Sequence, residues 1–159
     1  MKTTPSTQLS MNFTQVAEVE LIYRSKVKPS ERPKISGSSD AYKIFRETWD
    51  HSIEHHETFR IMLLNRSNKV LGIATISTGG ISGTVTDIRI IFQYAIKANA
   101  CSIILAHNHP SGETRPSEAD SRITQKLKEG GNLLDISVLD HIILTPEDKY
   151  LSFADEGLL

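Results

Sequence analysis

Two histidines one residue apart, His107 and His109, are followed by Pro110 and Gly112 and, eleven positions after the second histidine, by Asp120. Side chains of a strand alternate with a period of two, so imidazoles at 107 and 109 share a face and converge on one point. Pro110 and Gly112 end the strand, and a short loop returns through Ser117 to Asp120, which falls in the first turn of the next helix. An aspartate there can look back at the strand end and add a hard oxygen to the two nitrogens. Three such donors leave one tetrahedral position open, the form of a catalytic rather than a structural zinc site. The stretch from Ser117 to Asp120 is equally an ordinary helix start, with Ser117 as N-cap and an acid three residues on. The two roles are compatible as long as the backbone does not consume the whole carboxylate.

A strand must deliver the histidines and a helix the aspartate. "CSIILA" is a short, continuous apolar run that ends at His107, the pattern of a buried strand covered on both faces. "PSEADSRITQKLKEGG" reads as the helix, with Gly130-Gly131 as its stop. "ETFRIMLLN" and "KVLGIATIST", joined by "RSN", read as a hairpin. Two amphipathic helices are expected. One lies in "SSDAYKIFRETWDHSI", with Ser-Ser-Asp as a capping signal and Tyr42, Phe45 and Trp49 on one face. The other lies in "VTDIRIIFQYAIKANA", with Ile88, Ile91, Phe92, Ala95 and Ile96 on one face. "LLDISVLDHIIL", the turn "TPEDK" and "YLSF" complete the set, and "VAEVELIYR" (16–24) alternates as a further strand. A loop with Lys26, Lys28 and Lys34 follows that strand, read as a solvated connector. The expected fold is α/β or α+β, a mixed sheet with helices packed on it. Residues 1–15 are expected to be a flexible leader and 16–159 a single domain.

Composition narrows the function. With 38% apolar and 23% charged residues, the 159-residue chain can bury an enzyme-sized core. A formal net charge of −1 gives no general pull toward nucleic acid or an anionic membrane. The apolar runs fall short of a membrane span, and "MKTTPSTQLSMNF" lacks a secretory apolar region. Cys101, the single cysteine, cannot form an internal disulfide and is expected to be a small core residue in a cytoplasmic protein.

"HNHPSGETRPSEAD" matches the His-x-His-Pro, six residues, Ser-x-x-Asp signature of the JAMM (MPN+, or JAB) zinc metallopeptidase superfamily, and its "HNHPSG" resembles the RadC branch. The likeness runs from about Val16 to Leu159 and takes in the Glu-x-Phe of "ETFRIMLLN" and the ending "SFADEGLL". It implies a JAB/MPN-like, cytidine deaminase-like layered sandwich. Two departures weaken an inherited DNA link. The chain begins almost at the catalytic domain, without the helix-hairpin-helix domain of many RadC-like proteins, and "TVTDIRIIFQ" replaces a more basic Pro-Arg-Glu segment.

The resemblance implies that His107, His109 and Asp120 bind Zn2+, that a glutamate acts on water at the fourth position, and that Ser117 donates to the developing oxyanion. Glu57, at the Glu-x-Phe position, is the preferred base over Glu54 and Glu47. His55 and His56 cannot easily both join the cluster, since neighbouring strand residues face opposite ways. His51 is read as a helix-end surface residue. His141, beside Asp140, is either a core histidine or a partner of a ligand. The implied function is hydrolysis of an amide bond in a protein or peptide by a metallopeptidase or isopeptidase. A RadC-like accessory module of DNA metabolism or mobile elements, its metal structural or vestigial and its DNA binding weak or indirect, is the alternative. A zinc deaminase would need a Pro-Cys-x-x-Cys pair, which a single cysteine excludes.

Overall fold

A computed structural model of the chain describes residues 22–79 and 86–159. Its centre is a mixed five-stranded sheet. In chain order the regular elements are α1 (Ser38–Thr48), β1 (Thr58–Leu64), β2 (Val70–Thr78), α2 (Ile88–Lys97), β3 (Ser102–Asn108), α3 (Glu118–Leu133), β4 (Ser137–Leu144) and β5 (Tyr150–Ser152). The strand order is β2-β1-β3-β4-β5. Only β3 and β4 run parallel, and α3 makes the crossover between them.

Each face of the sheet carries its own core. On one, Phe59, Ile61, Leu63, Ile103 and Leu105 meet Ile91, Phe92 and Ala95 of α2 and Leu127 of α3. On the other, Met62, Leu64, Ile104, Ala106 and Ile142 meet Ala41, Phe45 and Trp49 around α1. Every residue of β1 and β3 is therefore buried, as their unbroken apolar runs require. The hairpin forms around Asn65, whose side chain accepts the N–H groups of Ser67 and Lys69 while Asn68 takes a left-handed φ of 56°.

Four expectations need correction. Cys101 is exposed, one residue ahead of β3, because its backbone rather than its side chain does the joining: its N–H donates to the Leu64 carbonyl and its carbonyl accepts from Ser137. Gly130 and Gly131 do not stop α3, which runs through them to Leu133 and turns at Asp135, φ 55°. They serve close approach instead. A Cβ on Gly131 would sit 2.2 Å from the Ile136 carbonyl oxygen, and one on Gly130 would sit 2.9 Å from the Phe92 ring. Helix α1 starts from Gly37, with no side-chain cap, and ends at Thr48; Asp50 then caps a separate 3₁₀ turn, His51–Glu54. Ile96 is half exposed, so the buried face of α2 is narrower than the apolar pattern implied. Of the expected strand 16–24, residues 16–21 lie outside the described residues, and residues 22–24 are irregular. The leader also lies outside them.

Candidate metal centre

The crossover from β3 to β4 builds the site. The carboxyl end of β3 meets the amino end of α3, the crevice where parallel sheets gather ligands. His107 is the penultimate residue of β3 and is buried, while His109 lies just beyond the strand and is half-buried. Asp120 lies on the same stripe of α3 as the buried residues Thr124, Leu127 and Gly131, so it faces the sheet.

These three residues converge. His107 Nε2 lies 2.9 Å from His109 Nε2 and 3.3 Å from Asp120 Oδ1, and His109 Nε2 lies 3.8 Å from Asp120 Oδ2. Donors held by zinc at its usual bond lengths in a tetrahedron sit about 3.3 Å apart, so the observed spacings straddle the required one. Among the described residues this is the one group of three or more His, Cys, Asp or Glu side chains that could hold a metal ion.

Each candidate ligand is held from behind. A turn at Gly112, φ 82°, brings the Glu113 carbonyl to accept from His109 Nδ1 at 2.6 Å, which leaves Nε2 free for the cluster. Asp120 Oδ2 accepts from the N–H and the hydroxyl of Ser117, both at 2.7 Å, and Ser117 Oγ accepts from the Asp120 N–H. The capping box and the metal group thus coexist, with Oδ2 serving the cap and Oδ1 turned to His107. Burial opposes ionisation of Asp120, but its contacts with His107 and with the two Ser117 donors outweigh it and hold the carboxyl well below the usual carboxylate range.

His141 unites both sequence readings. It is fully buried, with the Phe153 ring stacked on it at 4.7 Å and the Phe59 edge at 5.6 Å, and its Nε2 lies 2.8 Å from His107 Nδ1. Desolvation pushes it well below the ordinary imidazole range, keeping it neutral. A bulge brings it there. Ile103 pairs with Val138 but Ile104 pairs with Asp140, so Leu139 is skipped and His141 comes level with Leu105, on the face of His107. Plain alternation from Val138 would have put His141 on the other face.

Glu57 is not part of the convergent group. It immediately precedes β1, half-buried, with its carbonyl accepting from Gly79. In the antiparallel register Phe59 faces His107, and Glu57 lies two residues before Phe59, beyond the end of the paired stretch. His51, His55 and His56 stand apart, lining a cleft of about 500 Å³ with Arg60, Thr75 and Thr78. Arg60 lies over the Trp49 ring, which fixes that cleft to the α1 face.

Asn108 is the residue that sequence reasoning missed. Fully buried between the two histidines, it turns to the opposite face and accepts the Thr58 N–H while donating to the carbonyls of Ile53 and His56. The sequence signal was its place inside "HNHPSG", which said nothing of partners some fifty residues away.

The family profile described as "RadC-like JAB domain" matches residues 35–158. A "UPF0758 protein" of Flavobacterium johnsoniae is 44% identical over 144 residues, 90% of this chain and 62% of the relative. One of Porphyromonas gingivalis is 38% identical over 147 residues, 92% of this chain and 64% of the relative. One of Desulfitobacterium hafniense is 38% identical over 131 residues, 82% of this chain and 56% of the relative. The chain spans less than two thirds of the length of each of these relatives.

Proposed function

The chain belongs to the RadC-like JAB domain family, and from that premise we propose that it is a zinc-dependent metallopeptidase or isopeptidase that hydrolyses an amide bond of a protein or peptide substrate. The observation that carries this reading is the convergence of His107, His109 and Asp120, a group that no fourth His, Cys, Asp or Glu among the described residues joins. A site built for structure alone closes its fourth position with protein; one built for hydrolysis keeps it for water and substrate.

His107 Nε2, His109 Nε2 and Asp120 Oδ1 would hold the ion. Zinc bound there supplies a Lewis acid for the scissile carbonyl and lowers the pKa of water toward neutrality. The chain's own part is proton transfer and charge stabilisation. Glu57, at the mouth of β1, takes the proton of the attacking water on its carboxylate and returns it to the leaving amine nitrogen. Ser117 shares its hydroxyl between the helix cap and Asp120 in the resting site and turns it to the developing oxyanion during reaction. The near-neutral charge favours protein over nucleic acid as the substrate, and an exposed free Cys101 fits a reducing cytoplasm.

The test is a screen of peptide and isopeptide substrates with the zinc-loaded protein, beside its chelator-treated form and Asp120→Ala. Cleavage that needs zinc and disappears in Asp120→Ala supports the reading. A zinc-loaded protein whose cleavage persists in Asp120→Ala, or that cleaves no amide in the screen, overturns it.

A further inference from the structure

A histidine can bind a metal through Nε2 only if its proton resides on Nδ1, and a neutral imidazole does not by itself favour that arrangement enough to guarantee it. His109 is settled by the Glu113 carbonyl, which can only accept. His107 has no carbonyl behind it. Its Nδ1 meets another imidazole, His141, which can accept or donate.

Thr124 removes the ambiguity. Its Oγ1 lies 2.6 Å from the Asp120 backbone carbonyl and 2.7 Å from His141 Nδ1. The carbonyl has no proton to give, so the single hydroxyl proton must lie on that side; otherwise two oxygens would face each other unbridged. Thr124 Oγ1 therefore accepts from His141 Nδ1–H. His141 is then bare at Nε2 and accepts from His107 Nδ1–H at 2.8 Å. A neutral His107 is left with its lone pair on Nε2, where a cation shared with His109 and Asp120 would bridge the three acceptors. Run in reverse, the chain of bonds would put a proton on His107 Nε2 and close the site to a cation.

We propose that Thr124 and His141 are positioning residues, a one-way hydrogen-bond relay from the Asp120 backbone carbonyl to His107 that fixes the His107 tautomer and makes its Nε2 the metal-binding atom. Asp120 enters twice: its carbonyl anchors the relay to His107, and its carboxylate completes the donor set. The first turns of α3 thus set both the position of one ligand and the proton of another. The β4 bulge at Leu139 is what brings His141 into line.

This inference rests on the metal-site reading, and its test separates the two. Imidazole ¹⁵N NMR of the metal-free protein reads the His107 tautomer directly, and titration with zinc against a competing chelator reads affinity. In the wild type His107 is expected as Nδ1–H. Thr124→Val keeps the shape and removes the acceptor, so His141 should move its proton to Nε2 and His107 should become Nε2–H. Zinc affinity should then fall about 10- to 100-fold, the usual cost of losing a hydrogen bond behind a ligand. Thr124→Ser should restore both tautomer and affinity, which a purely packing role for the threonine methyl would not do. An Nε2–H His107 in a wild type that binds zinc overturns the relay alone, as does a folded Thr124→Val that keeps the wild-type tautomer and affinity. A wild type that takes up no zinc overturns the metal reading and the relay's purpose with it.

Discussion

The side chain of Asn108 accepts the Thr58 N–H at 2.8 Å, fastening the end of β3 to the beginning of β1 one residue from Glu57. Its amide nitrogen donates to Ile53 and His56 at 2.9 and 3.0 Å, so one buried group closes the segment that leads into Glu57. The two candidate metal-binding histidines and the proposed base are thereby tied to a single backbone stretch.

Removing that buckle should leave the ligands in place and loosen the base. In Asn108→Ala the Thr58 N–H and two carbonyls lose their partner, a cost of about 1–3 kcal/mol for each group left buried and unsatisfied. We expect a lower midpoint in urea, zinc content close to wild type, and slower amide hydrolysis. Wild-type stability and turnover in that variant would show that the loop holds Glu57 without Asn108.

Metal should stabilise the fold through His107, His109 and Asp120. A ligand that binds only the native state adds RT ln(1 + [L]/Kd), about 2.7 kcal/mol at a concentration one hundred times Kd. Zinc added to the metal-free wild type should raise its melting temperature and reach one ion per chain by elemental analysis. His109→Ala should show neither effect. Equal zinc in both proteins would remove the site.

Much of this was legible in the sequence because it depended on neighbours. The period of two placed His107 and His109 together, the unbroken apolar run of β3 gave its burial, and Ser117 to Asp120 gave the helix start. What escaped depended on distant parts of the chain. The role of His141 needs a bulge at Leu139, and a bulge leaves no pattern in an apolar strand. Asn108 finds its partners across the sheet from β3, and Cys101 is exposed although the apolar run behind it suggested burial. Gly130-Gly131 looked like a helix stop because local propensity favours that reading; only the packing of Ile136 and Phe92 against the helix shows otherwise.

Gly131→Ala tests that packing. Alanine ordinarily gains up to about 1 kcal/mol over glycine inside a helix. Here the new Cβ would lie 2.2 Å from a backbone oxygen, which cannot rotate away, and forced shifts of this kind cost about 1–3 kcal/mol. Net destabilisation is expected in denaturant unfolding. Gly72→Ala in β2, where nothing lies within 4 Å of the added Cβ, is the control and should be near neutral. A Gly131→Ala protein more stable than wild type would mean that the α3–β4 connection yields freely.

Glu57→Gln separates an enzyme from a domain that only binds metal. Glutamine keeps the size and polarity of glutamate and loses its capacity to accept a proton, so a general base at this position should lose its function without disturbing its surroundings. Glu57 stands outside the convergent donor group, so zinc content and melting temperature should stay close to wild type. Amide hydrolysis should fall at least ~10²-fold, the lower end of what a positioned acid–base group contributes. Asp120→Ala is the opposite control. It removes Oδ1 from the donor set and the acceptor from the Ser117 cap, so metal, activity and some stability should go together. Full turnover in Glu57→Gln would refute the assigned base and return attention to Glu54, in the preceding 3₁₀ turn. Loss of zinc in that variant would make Glu57 a ligand or a support of one, and the division of labour between carboxylates proposed above would be wrong.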